Sequence, residues 1–201
     1  MIRSKSPASA TGSTKSSAAS YPPEEPSMAD RIVAETRFLR MIERVGWFFV
    51  ERPNSRGVVT ILPLTRERRL IFVEQLRVPL RRKVIEFPAG LMGDEAGHED
   101  EDPVVAARRE LIEETGYAAQ DMELVATTAT SPGMANEMVH FVLAWNLDRV
   151  GPGGGVDSED IVVHEVPMGE ARSWLRQRER DGLIIAAKVF AGLYFANERW
   201  G

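Results

Sequence analysis

The sequence predicts an α+β fold in which helices cover both faces of a mixed β-sheet, with a small β segment in front of it. Hairpin-like strand patterns precede one strongly marked helix at residues 102–116, further strand patterns follow it, and two amphipathic segments close the chain. Elements in this order pack as a sheet between layers of helix. We expect a disordered tail at 1–30, N-terminal strands at 31–56 and the main domain at 57–201.

Composition argues against several classes of function. The net charge of −5 argues against a nucleic-acid-binding surface as the main function. The absence of cysteine excludes disulfides and thiolate metal sites. No apolar run approaches the roughly 18 residues that a membrane span needs. We therefore expect a cytoplasmic protein whose partners are neither nucleic acids nor membranes.

The first 27 residues differ from the rest of the chain. They consist mainly of Ser, Ala, Thr, Lys and Pro, with almost no large apolar side chain. Such a segment buries too little to offset the entropy of ordering it, which predicts disorder. Arg3, Lys5 and Lys15, with no acidic residue before Glu24, leave a transit peptide as the other interpretation.

Strand patterns fill the region before the marked helix. They predict one or two strands at 32–50 with a turn at Gly46, a hairpin of strands at 57–65 and 69–76, and a short strand at 84–87. The last of these leads directly into Pro88-Ala89-Gly90, where glycine permits a tight turn.

The marked helix has a clear start and stop. Asp102 can cap the free backbone N–H groups, Pro103 is tolerated in the first turn, and Gly116 can end the helix. Helical spacing divides its residues into a core face of Val104, Ala107, Leu111 and Thr115 and an opposite face of Ala106, Glu110, Glu113 and Glu114. Three carboxylates therefore share one face.

This acidic face does not favour helix stability. Glu110 and Glu114 are four residues apart, a like-charge spacing that costs a helix roughly 0.2–0.5 kcal/mol. Glu113 and Glu114 also lie in the last turn, where the helix dipole disfavours anions by roughly 0.3–1 kcal/mol each. A hard divalent cation such as Mg²⁺ would reverse this, since carboxylates one turn apart can reach the same ion. Taken alone, such a helix can also be a solvated acidic face.

The second half of the chain alternates strands, loops and helices. The patterns predict strands at 124–130, 139–145 and 161–166, a linker at 131–137, a flexible glycine-rich loop at 151–155, and helices at 168–180 and 183–199. An acidic cluster at 157–160 follows the glycine-rich loop, and such a cluster is usually a solvated turn.

The helix region resembles the Nudix box, the signature of the Nudix hydrolases. The chain matches every fixed position of the second part of that pattern, which runs Glu101, seven residues, Arg109-Glu110, two aliphatic residues, Glu113-Glu114, one residue and Gly116. The chain departs from it in two places. Ten residues rather than five separate Gly90 from Glu101, and Tyr117 replaces the final aliphatic residue. We interpret the extra residues as a longer surface loop.

The resemblance implies a Nudix-type α/β/α sandwich that hydrolyses a diphosphate linkage with Mg²⁺, for which Mn²⁺ can substitute. Its metal ligands are expected to be Glu110, Glu113, Glu114 and the carbonyl oxygen of Ala89. Arg109 is expected to orient the glutamates by charge-assisted hydrogen bonds. The resemblance also implies that the N-terminal strands join two copies into a homodimer.

The linker at 131–137 indicates the substrate. Pro132 lies fifteen residues beyond Tyr117 and is followed by Gly133 and then Glu137, an arrangement similar to that of ADP-ribose pyrophosphatases. The resemblance therefore implies hydrolysis of ADP-ribose to AMP and ribose 5-phosphate. An ordinary proline turn is the other interpretation. GDP-mannose or another nucleotide sugar as substrate, and a non-catalytic ADP-ribose sensor, are the alternative functions.

The resemblance also suggests further substrate contacts. Trp47 is a candidate for stacking on the base, although tryptophans are usually buried for their area alone. Arg77 is a candidate for the diphosphate, because a planar guanidinium gives two parallel hydrogen bonds, but a solvated arginine fits the same pattern. Glu86 and Gly90, which flank Phe87-Pro88-Ala89, are assigned to the same substrate site.

The catalytic base is expected in the acidic cluster. In similar hydrolases an acidic loop before a strand of this type supplies the base, and Glu159 is the first choice and Asp157 the second. A glutamate of the box, Glu113 among them, is the alternative.

Overall fold

The computed structural model describes residues 29–93, 100–155 and 160–201. The strands are β1 Arg31–Glu35, β2 Arg40–Arg44, β3 Trp47–Glu51, β4 Gly57–Leu64, β5 Arg69–Arg77, β6 Arg82–Glu86, β7 Ala89–Met92, β8 Tyr117–Ala129, β9 Met138–Arg149, β10 Val162–Pro167 and β11 Ile184–Ile185. The helices are α1 Pro103–Thr115, α2 Ala171–Arg180 and α3 Ala187–Trp200. Residues 1–28 of the predicted tail at 1–30 lie outside the described residues.

The main sheet has eight strands and is mixed. Its order is β11-β6-β5-β4-β9-β8, with β10 paired to β5 and β7 paired to β4. Pairing is parallel between β4 and β9 and between β11 and β6. Strand β4 is buried along its whole length, because it lies in the middle of the sheet with helices on both sides. The predicted mixed sheet is confirmed.

Alternate residues of β4 divide the core into two halves. Val59 and Ile61 pack with Leu111 of α1, whereas Leu62 packs on the opposite face with Val189 of α3. This alternation follows from the two-residue period of a strand, which sends successive side chains to opposite faces. The α/β/α sandwich expected from the sequence is therefore confirmed.

Helix α1 begins and ends where the sequence predicts. The side chain of Asp102 accepts a hydrogen bond of 2.8 Å from the N–H of Val104, and Gly116 ends the helix with a φ of 73°. The predicted division into two faces is incomplete, because Ala106 and Glu114 are buried as well. Strand β7 covers part of the carboxylate face, which the periodicity of a single helix cannot show.

The N-terminal segment forms a separate antiparallel sheet in the order β1-β2-β3. The sequence predicts one or two strands here, and the structure has three. The missed turn lies between β1 and β2, where the hydroxyl of Thr36 accepts hydrogen bonds from the N–H groups of Phe38 and Leu39. The predicted turn at Gly46 is present, with positive φ at both Val45 and Gly46.

Other elements differ from the prediction in extent. Strand β7 lies where a loop is expected, β8 and β9 are longer than expected, and the short β11 precedes α3. These differences have one cause. The residues that the prediction left out of the strands are held there by pairing with another strand, and the local hydrophobic pattern does not reveal that pairing. Tyr117, at the aliphatic position of the box, is buried against the α1 side of the core.

Candidate active site

The carboxylates of α1 differ in their access to solvent. The Glu113 side chain is 31 % exposed and that of Glu110 is 13 % exposed. Glu114 is almost fully buried, with 4 % of the residue exposed. The helix therefore presents a graded row of carboxylates that runs from solvent into the protein.

Arg109 links this row of carboxylates to the adjacent strand. Its guanidinium donates to Glu110 at 2.8 Å and to Glu113 at 3.4 Å, and it donates to the carbonyl oxygen of Leu91 in β7 at 3.3 Å. It also lies 3.5 Å from the carboxylate of Glu101. Charge-assisted hydrogen bonds of this kind fix the rotamers of the groups they join, which supports the predicted orienting role of Arg109. That role stays a prediction.

Strand β7 brings backbone atoms into the carboxylate row. The N–H of Ala89 donates to Glu114 at 3.0 Å. Gly90 lies so close to Glu110 that a Cβ on this residue would overlap the carboxyl group. A residue without a side chain is therefore required where the strand passes Glu110.

The chemistry of these groups fits a hard divalent cation. The predicted ligands Glu110, Glu113, Glu114 and the Ala89 carbonyl offer only oxygen, which is the ligand that Mg²⁺ and Mn²⁺ prefer. Because Gly90 has no Cβ, the carboxylate of Glu110 can approach the backbone of β7 closely. Arg109 bridges Glu110 and Glu113, and the Ala89 N–H donates to Glu114. Within residues 29–93, 100–155 and 160–201, no three acidic or histidine side chains lie close enough together to hold a metal ion.

The glycine-rich loop after β9 is bonded to the end of α1. The N–H groups of Gly154 and Gly155 donate to the carbonyl oxygens of Glu114 and Glu113, at 2.9 Å and 3.1 Å. The sequence predicts a flexible loop. In the structure these hydrogen bonds tie the loop to α1, because they satisfy carbonyl groups that have no partner within the last turn of a helix. The predicted bases Glu159 and Asp157 lie outside the described residues, so the base stays a prediction.

Arg77 and Glu86 form an ion pair between two strands of the main sheet. The Nε of Arg77 donates to the carboxylate of Glu86 at 2.6 Å, and Glu86 is buried. The two residues lie on the neighbouring antiparallel strands β5 and β6. The pair joins two residues that the sequence assigns separately to substrate binding.

The linker at 131–137 is docked on the small N-terminal sheet. The N–H of Val50 in β3 donates to the carbonyl oxygen of Met134 at 2.8 Å, and Arg52 donates to Glu137 at 3.0 Å. Pro132 and Gly133 are exposed at the tip of the linker. Glu137 and Arg52 line a polar cleft of about 240 Å³.

Trp47 begins strand β3 and is 67 % exposed. The interpretation as a tryptophan packed inside the small sheet does not fit this exposure, because such packing would bury the ring. Its contact with a base stays a prediction.

Lys188 lies in the first turn of α3, and the sequence analysis does not identify it as a site residue. Burial lowers the pKa of its ammonium, and its charge interacts with those of Glu86, Arg77, Glu137 and Glu114. Residues predicted separately on β5, β6, α1 and the 131–137 linker thus share one electrostatic environment. The signal in the sequence is a single charged residue in the otherwise apolar run at 186–195.

The amino-acid sequence is similar to those of several known proteins. The chain is 37 % identical over 140 residues to a methanol dehydrogenase activator of Bacillus methanolicus, covering 64 % of this chain and 73 % of that protein. It is 36 % identical over 141 residues to an ADP-ribose pyrophosphatase of Bacillus subtilis, covering 65 % and 74 %. A GDP-mannose pyrophosphatase of Escherichia coli K12 is 33 % identical over 141 residues, covering 66 % and 71 %.

A solved structure described as an ADP compounds hydrolase shares the fold. It superposes with a TM-score of 0.68 at 21 % identity and covers 89 % of this chain and 96 % of its own. The family model of the NUDIX domain matches residues 54–184, which include β4, the carboxylates of α1 and the 131–137 linker. The chain therefore belongs to the Nudix family.

Proposed function

We propose that this chain hydrolyses the diphosphate of ADP-ribose to AMP and ribose 5-phosphate, with Mg²⁺ as its cation and Mn²⁺ able to substitute. The observation that carries the proposal is the row of Glu110, Glu113 and Glu114 on α1, held by Arg109 beside the backbone of β7. A non-catalytic sensor of ADP-ribose has no need of this complete set. The related ADP-ribose pyrophosphatase supports the choice of substrate.

The residues of the chain have separate tasks in this reaction. Bound Mg²⁺ supplies neutralisation of the diphosphate charge and makes water more acidic. Arg109 fixes the directions of Glu110 and Glu113. Arg77, which pairs with Glu86, is the residue proposed to bind phosphate oxygens. A carboxylate, Glu159 or alternatively Glu113, takes the proton of the attacking water. The new bond forms at one phosphorus atom, and the bond from that atom to the bridging oxygen breaks.

The cleft beside the 131–137 linker is the proposed site of the nucleoside. Its lining includes Glu137 and Asn136, whose oxygen and nitrogen atoms can bond to ribose hydroxyls. Pro132 and Gly133 belong to the same linker, and Trp47 is exposed on the small sheet to which the linker is docked. GDP-mannose is the second candidate, because a GDP-mannose pyrophosphatase is among the relatives and the carboxylate row would act on the diphosphate that both substrates share.

We further propose that the protein is a homodimer joined through the sheet β1-β2-β3. Large apolar side chains remain exposed on this small sheet, and exposed apolar surface is a feature of interaction sites. The cytoplasmic location stays a prediction. Among the described residues no helix combines the length and apolar character of a membrane span.

The test is phosphate release from a panel of nucleotides, with a coupled phosphatase to free phosphate from the products. The panel contains ADP-ribose, GDP-mannose, UDP-glucose, NADH and diadenosine polyphosphates, each with Mg²⁺ and with chelator. We expect turnover of ADP-ribose that chelator abolishes. Preferential turnover of another sugar nucleotide would contradict the assigned base and sugar, and tight ADP-ribose binding without any turnover would make the chain a sensor.

Glu114→Gln tests the proposed role of the carboxylate row in metal binding. Glutamine keeps an oxygen that can accept the hydrogen bond from the Ala89 N–H, so we expect a native circular dichroism spectrum. Loss of the negative charge should lower kcat by about 100-fold or more, since each metal ligand contributes to the stabilisation of the transition state. A Glu114→Gln variant with nearly normal turnover would show that Glu114 is not a metal ligand.

A further inference from the structure

A groove of about 800 Å³ runs between α2 and α3. Leu175 of α2 and Val189 of α3 belong to the half of the core on one face of the main sheet, and Leu111 of α1 belongs to the other half. The sheet therefore separates this groove from the carboxylate row. The α2–α3 groove is lined chiefly by Arg172, Leu175 and Arg176 of α2 and by Phe190, Leu193 and Tyr194 of α3.

Two aromatic rings of α3 are exposed along the groove. Phe190 and Tyr194 are four residues apart, so they lie on one face of the helix, and each is more than half exposed. The hydroxyl of Tyr194 donates to Glu198 at 2.6 Å, which holds the ring in one orientation. The core does not use this face, because α3 buries Val189 and Ala196 instead. The rings form an apolar surface that a partner can bury.

Two arginines on the α2 side of the groove have no partner in the described part of the chain. The guanidinium groups of Arg172 and Arg176 make neither an ion pair nor a hydrogen bond there, whereas Arg178 on the same helix pairs with Asp181 at 2.9 Å. Arg172 and Arg176 are also like charges four residues apart, and Arg172 lies in the first turn, where the helix dipole disfavours a cation. The stability of α2 does not explain these two residues.

The charge of the groove indicates the kind of partner. Its charged lining consists of two arginines and Glu179, so it is positive, although the chain has a net charge of −5. A two-fold contact between copies through this face would place one positive groove against another, which disfavours self-association here. The arginines and the two rings are all exposed, so the groove would not enclose a small molecule as ligand pockets do. Apolar side chains one turn apart, between two helices, fit the recognition of a third helix.

We propose that the α2–α3 groove docks an acidic amphipathic helix of another protein. The apolar face of that helix lies on Phe190, Leu193 and Tyr194, and its carboxylates pair with Arg172 and Arg176. This inference does not depend on the proposed function, because the groove and the carboxylate row lie on opposite faces of the sheet.

The probe is a fluorescein-labelled synthetic peptide, whose binding to the full chain is measured by fluorescence anisotropy. The peptide has leucines at positions i, i+3, i+4 and i+7 of a helix and glutamates on both flanks of this stripe. A second peptide has lysine in place of every glutamate. We expect the acidic peptide to bind at least about tenfold more tightly than the lysine peptide, and its affinity to fall as the salt concentration rises.

Variants of the groove separate the apolar contact from the charge contact. Phe190→Ser should raise the dissociation constant of the acidic peptide by about tenfold or more, because it removes a central aromatic contact. The double variant Arg172→Gln/Arg176→Gln should raise it by about 3- to 10-fold and weaken its salt dependence. Arg180→Gln is the matched control, since Arg180 lies on α2 outside the groove and bonds to Gln177 at 3.1 Å. It should match the wild type.

Turnover and stability show whether the groove variants are otherwise intact. All the substituted side chains are exposed, so the variants should keep the wild-type Tm, kcat and KM. Equal binding of the two peptides by the wild type, or an unchanged dissociation constant in Phe190→Ser, would overturn the inference. It would also be overturned if the acidic peptide does not bind while AMP or vesicles containing phosphatidylserine bind the wild type and not the double variant. The groove would then be a site for a small anion or for a membrane surface.

Discussion

At the scale of single residues, Gly90 sets how closely β7 approaches the carboxylate row. A Cβ at this position would overlap the carboxyl group of Glu110, so Gly90→Ala must displace Glu110 or the strand. We expect kcat to fall by about 100-fold, because a shift of roughly 1 Å at a catalytic group costs that much. The measurement is kcat for the preferred nucleotide, together with the Tm.

Gly169→Ala is the control for Gly90→Ala. Gly169 precedes α2, and a Cβ there would meet no atom within 4 Å. This variant should keep wild-type kcat and Tm. Equal activity of Gly90→Ala and Gly169→Ala would show that the close approach of β7 to Glu110 has no role in turnover.

Local sequence predicts part of this site and misses part of it. Glu110, Glu113 and Glu114 could be placed on one face, and Arg109 beside them, because all four belong to one helix with a period of 3.6 residues. Lys188 could not be placed, since its position depends on the pairing of β11 with a strand about 100 residues earlier. The Arg52–Glu137 pair could not be predicted either, because the two residues are 85 positions apart and meet only when the 131–137 linker docks on the small sheet.

At the scale of elements, the end of α1 and the loop at 151–155 form one unit. Gly153 has a φ of 68°, and a Cβ on it would overlap the backbone of Thr115. Gly153→Ala therefore combines a left-handed backbone with a clash against the helix. We expect the free energy of unfolding to fall by about 2 kcal/mol or more, measured by urea denaturation.

Gly46→Ala is the control for the backbone part of this effect. Gly46 has a φ of 79°, close to that of Gly153, but a Cβ there would meet no atom within 4 Å. We expect a smaller loss of stability than for Gly153→Ala, because only the left-handed backbone disfavours alanine at Gly46. Equal losses would show that the close approach to Thr115 adds nothing to the cost.

The bounds of elements were predictable where local chemistry decides them. Asp102, Pro103 and Gly116 fixed both ends of α1, because capping depends on a few neighbouring residues. The length of β8 was not predictable, since much of it is exposed and is held by pairing with β9. Exposed strands carry a weak sequence pattern, because only one face contributes to the core.

At the scale of the whole molecule, the 131–137 linker connects the small sheet to the site. It follows β8 and precedes β9 of the main sheet, and it bonds to Val50 and Arg52 beside the small sheet. A change in the position of the small sheet would therefore move the proposed nucleoside cleft. This coupling relates the proposed dimer to substrate binding.

The proposed dimer can be tested on one face of the small sheet. Met41 pairs with Val50 and Glu43 pairs with Phe48, so strand alternation puts Met41 and Phe48 on the same face. Phe48 is 52 % exposed and Met41 is 41 % exposed. Phe48→Glu removes a large exposed ring from this face and puts a second carboxylate opposite Glu43, so it should raise the dimer dissociation constant by about tenfold or more.

Size-exclusion chromatography with light scattering over a range of concentrations measures this constant. Val105→Glu is the matched control, because Val105 is 57 % exposed on α1, away from the small sheet. It should dimerise like the wild type, since a charge on the first turn of a helix remains in solvent. A wild-type protein that is monomeric, or a Phe48→Glu variant that dimerises as tightly as Val105→Glu, would show that this face is not the interface. If Phe48→Glu is monomeric and its KM for the nucleotide also rises, assembly and the nucleoside cleft are coupled through the 131–137 linker.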